Sequence, residues 1–139
     1  MSTDEVRTFL MAGTRTGKLA TVAADGRPQV VPIWFVVDDD GSLLFTCGEE
    51  TAKARAIARD PRVTLCVDDE TPPFAFVQVQ GTASISRDPA ELLEWATRIG
   101  GRYMGADRAE EFGRRNAVPE EWLVRVVPTK VIAFAAISD

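Results

Sequence analysis

Eight consecutive apolar residues in the first third of the chain constrain its fold more than any other feature. Residues 30–37 read VVPIWFVV, without a single charged or polar side chain. A strand with one face in water alternates apolar and polar residues, so this run predicts one strand with both faces covered. Pro32 has no backbone N–H, which places the strand at a sheet edge or at a bulge. We expect the core on one face and a partner subunit or ligand on the other; an ordinary buried strand is the alternative.

Short apolar segments separated by turn signals surround this run. Residues 18–47 predict three strands, with turns at Asp25-Gly26, a two-residue hairpin signal, and at Asp40-Gly41. The segments RVTLCV, PPFAFVQVQGTASIS and EWLVRVVPTKVIAFAAI predict further strands, the second with a bulge or close approach at Gly81 and the last bent or broken at Pro128. No linker or repeat divides the chain, so residues 1–139 are expected to form one domain.

Four helices are predicted from helical spacing and from side chains that cap a helix N-terminus. They are residues 3–12 with Thr3 or Asp4 as cap, residues 51–59, a helix opened by Asp88 and Pro89, and a helix opened by Asp107 with Glu110 closing a capping box. Mostly antiparallel strands with a few small helices predict a mainly β (α+β) domain, a small barrel with flanking helices.

Histidine is absent, which excludes serine–histidine and cysteine–histidine catalysis and histidine-bound metals. If the protein is an enzyme, we expect a bound cofactor to carry the difficult step. The net charge of −5 predicts neither nucleic acid nor an anionic membrane as a partner. The N-terminal segment predicts no signal peptide or membrane span, and Cys47 and Cys66 are expected to be buried free thiols, which fits a cytoplasmic protein.

Lys53 raises a question of charge. It falls in the first turn of the predicted second helix, where the free N–H groups and the helix dipole are already positive. A cation there calls for a nearby anion. One candidate is a local ion pair with Glu49 or Glu50. The other is a ligand phosphate, which would also meet the hydroxyl of Thr46 or Thr51.

Three motifs resemble one known family. LATV..DGRP.VVP.WF, LLFTCGEETAKARAIARDPRV and FAFVQVQGTASI are similar, in this order, to the flavin- and deazaflavin-binding split β-barrel family that includes pyridoxamine 5′-phosphate oxidase. The later segment WATRIGGRYMGADRAEEFGRRN resembles the branch that uses coenzyme F420, a deazaflavin. The resemblance implies an FMN-binding-like split barrel, an oxidoreductase that acts on a small-molecule substrate, and a homodimer with the cofactor in a cleft between subunits.

The resemblance also implies which residues bind the cofactor. The implied set is Pro32, Ile33, Trp34, Thr46, Thr51, Lys53, Arg55, Phe74 and Phe76. Lys53 binds the phosphate in this family, the segment around Trp34 runs along the ring system, and the two phenylalanines help to close the pocket. Arg55 either adds charge near the phosphate or the acidic tail of the deazaflavin, or is a solvated surface residue. No proton donor is implied; Tyr103 is open to that role or to the commoner one at a core edge.

The chain departs from the pyridoxamine oxidases in its charged residues. They place an arginine directly before the phosphate lysine, where this chain has Ala52, and basic residues early in the second strand, where it has Val30 and Phe35. They also use a histidine on the vitamin. These departures argue against vitamin B6 oxidation and favour F420 over FMN. The expected reaction is hydride transfer between reduced F420 and an electron-poor small molecule, with an FMN-dependent enzyme or a non-enzymatic cofactor carrier as alternatives.

Overall fold

A seven-stranded antiparallel sheet, curled into a half-open barrel, organises the chain in the computed structural model, which describes residues 1–139. Its strands are β1 (Gly17–Val22), β2 (Pro28–Ile33), β3 (Val36–Val37), β4 (Leu43–Gly48), β5 (Arg62–Asp69), β6 (Ala75–Ser86) and β7 (Glu121–Phe134), in the spatial order β2-β1-β5-β6-β7-β4-β3. The helices are α1 (Thr3–Met11), α2 (Ala52–Arg59), α3 (Pro89–Met104) and α4 (Ala109–Asn116), with a 3₁₀ helix at Ala106–Arg108. The mainly β, antiparallel prediction is confirmed.

The apolar run at residues 30–37 does not form the single strand that the sequence predicted. β2 ends at Ile33, and β3 lies at the opposite edge of the sheet, so Trp34 and Phe35 cross from one edge to the other. Because only these two residues separate β2 from β3, the two edges lie within about 10 Å of each other. Pro32 lies in an edge strand, as its missing N–H predicted.

The main core fills the inside of the curled sheet. Leu19, Leu65 and Val79 lie in register on β1, β5 and β6 and are almost fully buried. Leu10 of α1 and Ile57 of α2 pack into the same core. Burying each of these side chains contributes about 1.5–3 kcal/mol.

A smaller core lies on the outside of the sheet. Leu92, Trp95 and Ile99 of α3 pack there against Leu44 of β4 and Leu123 of β7. The remaining outer surface, across β2, β1, β5, β6 and the C-terminal half of β7, is not part of either core. We call this surface the open sheet face.

The β6–β7 pair contains the predicted irregularity. Gln80 pairs with Lys130 and Gly81 with Pro128, so Thr129 is an extra residue on β7. A Cβ built on Gly81 would lie 2.7 Å from the carbonyl oxygen of Val127, which only glycine avoids. Gly81 is therefore a close approach, and β7 is bulged beside Pro128 but continuous.

Two predicted helix caps are wrong. α1 is capped by Ser2 and not by Thr3 or Asp4: the Ser2 hydroxyl accepts the N–H of Glu5 at 3.1 Å, and the Glu5 carboxylate accepts the N–H of Ser2 at 3.0 Å. Asp107 does not cap α4, because it lies inside the 3₁₀ helix that runs directly into α4. The cap that Asp88 provides for α3 is confirmed.

The first hairpin turn is longer than the two residues predicted. The N–H of Ala23 donates to the carbonyl of Arg27 and the N–H of Gly26 to that of Ala23, both at 2.9 Å. Only Gly26 is left-handed, with φ 86°, whereas a two-residue turn at Asp25-Gly26 needs a positive φ at both. The turn predicted at Gly41 is present, with φ 84°. No helix has the length and apolar composition needed to cross a bilayer.

Candidate functional site

Lys53 lies in the first turn of α2, as predicted, and takes part in no ion pair. Glu50 pairs instead with Arg55 at 2.7 Å, and Glu49 with Arg87 at 3.6 Å. The local ion pair that the sequence left open is therefore not formed. The same contact shows that the guanidinium of Arg55 is held by a neighbouring carboxylate at an exposed position.

The turn that leads from β4 into α2 is built around Gly48. The hydroxyl of Thr51 donates to the carbonyl of Gly48 at 2.7 Å and accepts the N–H of Ala54 at 3.3 Å, so Thr51 caps α2. Thr46 lies two residues before Gly48 in β4 and therefore faces the same side of the strand. Sequence reasoning predicted both threonines near the lysine; the structure places Thr51 in this turn and Thr46 in the strand before it.

One carboxylate near Lys53 was not predicted. Glu121 begins β7 directly opposite Gly48, and one of its carboxylate oxygens lies 3.6 Å from where a Cβ on Gly48 would be. Its side chain is half-buried and makes no hydrogen bond or ion pair. Burial raises the pKa of the Glu121 carboxyl, and the positive charge of Lys53 opposes that rise. Only the pairing of β4 with β7 brings these residues together, and no local sequence signal reveals it.

We call Gly48, Thr51, Lys53 and Glu121 the cradle. It combines the first N–H groups of α2 and a lysine without an ion-pair partner. At a helix N-terminus a phosphate accepts hydrogen bonds from free N–H groups and from a lysine, so these residues fit a phosphate.

The two thiols differ. Cys47 is buried in the main core beneath the cradle, and burial raises its pKa to about 11. Cys66 is half-buried on the open sheet face, and burial raises its pKa as well. Both are free, and neither is a thiolate at neutral pH. The prediction of buried thiols is confirmed for Cys47 and only in part for Cys66.

The residues expected along a ring system differ in exposure. Pro32 is exposed, whereas Ile33 is buried in the main core. Trp34 is 38% exposed, and its ring stacks on that of Tyr103 with centroids 5.0 Å apart and planes 4° from parallel. Of Pro32, Ile33 and Trp34, the tryptophan presents the largest flat surface.

Tyr103 holds the backbone beneath this ring. Its hydroxyl accepts the N–H of Phe35 at 3.2 Å and donates to the carbonyl of Arg15 at 2.9 Å. Burial raises the pKa of Tyr103, although its hydrogen bond to Phe35 opposes the rise. The hydroxyl proton is already committed to a carbonyl, so this tyrosine serves the core edge.

Arg102 also binds the crossover, which is the two-residue segment of Trp34 and Phe35 between β2 and β3. Its guanidinium donates to the carbonyls of Phe35 at 2.6 Å, Leu10 at 2.7 Å and Gly13 at 3.1 Å. The charge also lies over the ring of Phe35, 4.7 Å from its centroid. Sequence reasoning missed Arg102, because an arginine near the end of a helix is usually solvated.

Phe74 and Phe76 lie far from Lys53 in the same chain. Phe74 precedes β6 instead of belonging to it, with φ 63°, and is 40% exposed. The ring of Phe76 packs against that of Phe134, with centroids 5.5 Å apart. Phe134 is the last residue of β7, whereas Glu121 is the first, so the phenylalanines and the cradle lie at opposite ends of that strand. One chain does not bring them together.

Comparisons with known proteins assign the family. A model of the pyridoxamine 5′-phosphate oxidase family matches residues 2–133. Over 130 residues the chain is 36% identical to a 5a,11a-dehydrotetracycline/5a,11a-dehydrooxytetracycline reductase of Streptomyces rimosus, which covers 88% of this chain and 76% of that protein. The chain belongs to the pyridoxamine 5′-phosphate oxidase family, a family of oxidoreductases.

Solved structures agree with this assignment. A conserved hypothetical protein of Mycobacterium tuberculosis superposes with a TM-score of 0.88 at 27% identity, over 99% of this chain and 87% of the other. An F420 reductase superposes with a TM-score of 0.70 at 29% identity, over 90% of this chain and 94% of the other. The split-barrel fold expected from the sequence is confirmed.

Proposed function

We propose that the protein is an F420-dependent oxidoreductase that transfers a hydride between the reduced deazaflavin and an electron-poor small molecule. The observation that carries the proposal is Lys53, a lysine without an ion-pair partner at the positive end of α2. The Streptomyces rimosus reductase and the F420 reductase structure support this choice.

In this proposal the cradle binds the cofactor phosphate. Lys53 supplies a point charge, and the N–H groups of the first turn of α2 supply directed donors. Thr51 keeps the turn in shape through its bond to the Gly48 carbonyl. Thr46 adds a hydroxyl on the same side of β4. A single lysine, preceded by Ala52, favours a phosphate of low charge, which is the reason for preferring F420 to FMN.

The crossover borders the ring system in the same proposal. When bound, the reduced deazaflavin supplies the hydride from its ring carbon. Trp34 offers a flat surface next to β2, and its stacking on Tyr103 fixes the orientation of its ring. Because the Tyr103 hydroxyl donates to a backbone carbonyl, we assign protonation of the product to solvent. The chain therefore positions donor and acceptor and excludes water from between them.

We further propose that the active form is a homodimer that packs through the open sheet face. Both Val30, 70% exposed on β2, and Phe134, 56% exposed next to Phe76 at the end of β7, lie on this face. A second copy packed on this face would cover both side chains with the same surface. The partner is then the source of Phe74 and Phe76 for each cofactor site, since one chain does not place them near its own cradle.

Light scattering tests the dimer. We expect a homodimer for the wild-type protein and a monomer, with weakened cofactor binding, for Val30→Asp. The sequence suggests a charge at Ile33 or Trp34 as the test of the dimer, but Ile33 is buried in the core and its substitution would disturb the monomer fold. A monomeric wild-type protein with full cofactor affinity contradicts both the dimer and the shared site.

The cofactor proposal is tested by titrating the purified protein with F420 and, separately, with FMN, following fluorescence. We expect F420 to bind more tightly. Oxidation of the reduced F420 by a panel of activated alkenes and quinones then distinguishes an enzyme from a carrier. Tighter binding of FMN than of F420 would favour the FMN-dependent alternative, and binding without turnover would favour the carrier.

A further inference from the structure

Glu121 places a carboxylate in the cradle that is proposed to bind a phosphate. It lies opposite Gly48, half-buried, with one oxygen 3.6 Å from the position of a Cβ on that glycine. No hydrogen bond or ion pair of the structure neutralises it. The protein retains an unpaired carboxylate beside the one lysine that is proposed to hold the cofactor.

Among the cationic side chains around Glu121, only Lys53 has no ion-pair partner. On α2, Arg55 is paired with Glu50, and on the far side Arg87, which lines a cavity together with Glu121, is paired with Glu49. On β4, Cys47 carries no charge at neutral pH, since burial raises its pKa to about 11. With Glu121 ionised, the cradle therefore holds one positive and one negative side chain.

We propose that Glu121 is a specificity determinant, which makes the cradle accept a phosphodiester such as that of F420 and disfavour a phosphate monoester such as that of FMN. The inference rests on the proposed phosphate site at Lys53. A monoester carries nearly two negative charges at neutral pH, because its second pKa is about 6, whereas a diester carries one. Lys53 compensates one negative charge of a monoester, and the second negative charge faces the carboxylate of Glu121.

The size of the discrimination follows from the product of charges. Coulomb energy is proportional to that product, so the repulsion of a dianion by Glu121 is about twice that of a monoanion at the same place. Because affinity depends exponentially on energy, doubling the repulsion squares its effect on the dissociation constant. If Glu121 weakens the binding of a diester about threefold, it weakens the binding of a monoester about tenfold. Partial burial keeps this interaction from being fully screened by salt.

The first experiment compares Glu121→Gln with Glu120→Gln, an exposed neighbour that serves as the matched control. Dissociation constants are measured at pH 8 for riboflavin, which has no phosphate, and for FMN and F420. We expect Glu121→Gln to tighten FMN binding about tenfold and F420 binding about threefold, with riboflavin unchanged. Glu120→Gln should leave all three within about twofold.

The second experiment measures the ratio of FMN to F420 affinity from pH 8 to pH 5.5 in the wild-type protein and in Glu121→Gln. If Lys53 acted without Glu121, protonation of the FMN monoester would weaken FMN binding as the pH falls from 8 to 5.5. In the wild-type protein the same protonation also relieves the repulsion by Glu121, so the ratio of FMN to F420 affinity should fall less toward acid in the wild type than in Glu121→Gln.

The outcomes separate the two proposals. If the wild-type protein binds neither F420 nor FMN, the proposed function fails and this inference fails with it. If it binds F420, but Glu121→Gln leaves the ratio of FMN to F420 affinity unchanged at pH 8, or that ratio falls equally toward acid in both proteins, only the role of Glu121 is overturned.

Discussion

The crossover at Trp34 and Phe35 and the cradle at the start of α2 satisfy their polar groups in opposite ways. At the crossover, the N–H and carbonyl of Phe35 are bound by Tyr103 and Arg102 of α3. In the cradle, Lys53 and Glu121 are near each other, yet neither has an ion-pair or hydrogen-bond partner. The polar groups of the crossover find their partners within one chain, whereas the two charged side chains of the cradle do not.

This difference teaches which residues serve the fold and which serve a ligand. Buried polar groups that lose a partner lower the free energy of unfolding, because they remain desolvated. Partly exposed charges without a partner contribute little to stability, so their removal affects only what they bind. Substitutions at the crossover should therefore change stability, and substitutions in the cradle should change cofactor affinity.

The largest effect is expected for Arg102→Gln. The shorter side chain cannot reach all three carbonyls that Arg102 now binds, which should lower the free energy of unfolding by about 3 kcal/mol. Urea denaturation measures this loss. The control is Arg27→Gln in an exposed turn, expected to change stability by no more than about 0.5 kcal/mol. Equal stability of the two variants would show that the crossover is not held from α3.

Trp34→Ala should affect both regions, because this residue belongs to the crossover and borders the proposed ring site. Loss of its stacking on Tyr103 should lower the free energy of unfolding by about 2 kcal/mol. Cofactor binding should weaken in the same protein. Trp34→Phe, which keeps an aromatic face, should retain most of both properties. Full F420 affinity in Trp34→Ala would remove the crossover from the cofactor site.

Of the three crossover substitutions, Tyr103→Phe should give the smallest change in stability. It keeps the ring under Trp34 but leaves the N–H of Phe35 and the carbonyl of Arg15 without this hydroxyl, which should cost about 1 kcal/mol. Its dissociation constant for F420 and its turnover should stay within about twofold. A large loss of turnover without a loss of stability would instead identify Tyr103 as a proton donor.

The sequence predicted the local features of the fold better than the long-range ones. Alternation in β6 and the cap at Asp88 depend on neighbouring residues, and the structure has both. The apolar run at residues 30–37 was misread as one strand, because its pattern reports burial and not which sheet edge covers each half. The hold of Arg102 on Phe35 has no local signature, since it depends on α3 packing over the crossover.

The candidate site was predicted in part for the same reason. Helix-start signals and the family motif located Lys53 and Thr51, which are neighbours in the chain. Glu121 was missed because β7 reaches the cradle only through its pairing with β4. Phe74 and Phe76 were assigned to the site by resemblance, and a single chain leaves them at the far end of β7.

Lys53→Ala tests the central claim most directly, when F420 affinity and unfolding free energy are measured on the same preparation. Because a charge-assisted contact is lost, we expect the free energy of binding to weaken by about 1.5–3 kcal/mol, which raises the dissociation constant roughly 10- to 150-fold. The free energy of unfolding should not change. Arg55→Ala, whose guanidinium is paired with Glu50, is the control and should weaken binding no more than about threefold. An unchanged dissociation constant in Lys53→Ala, or a loss of stability as large as that of Arg102→Gln, would contradict the account.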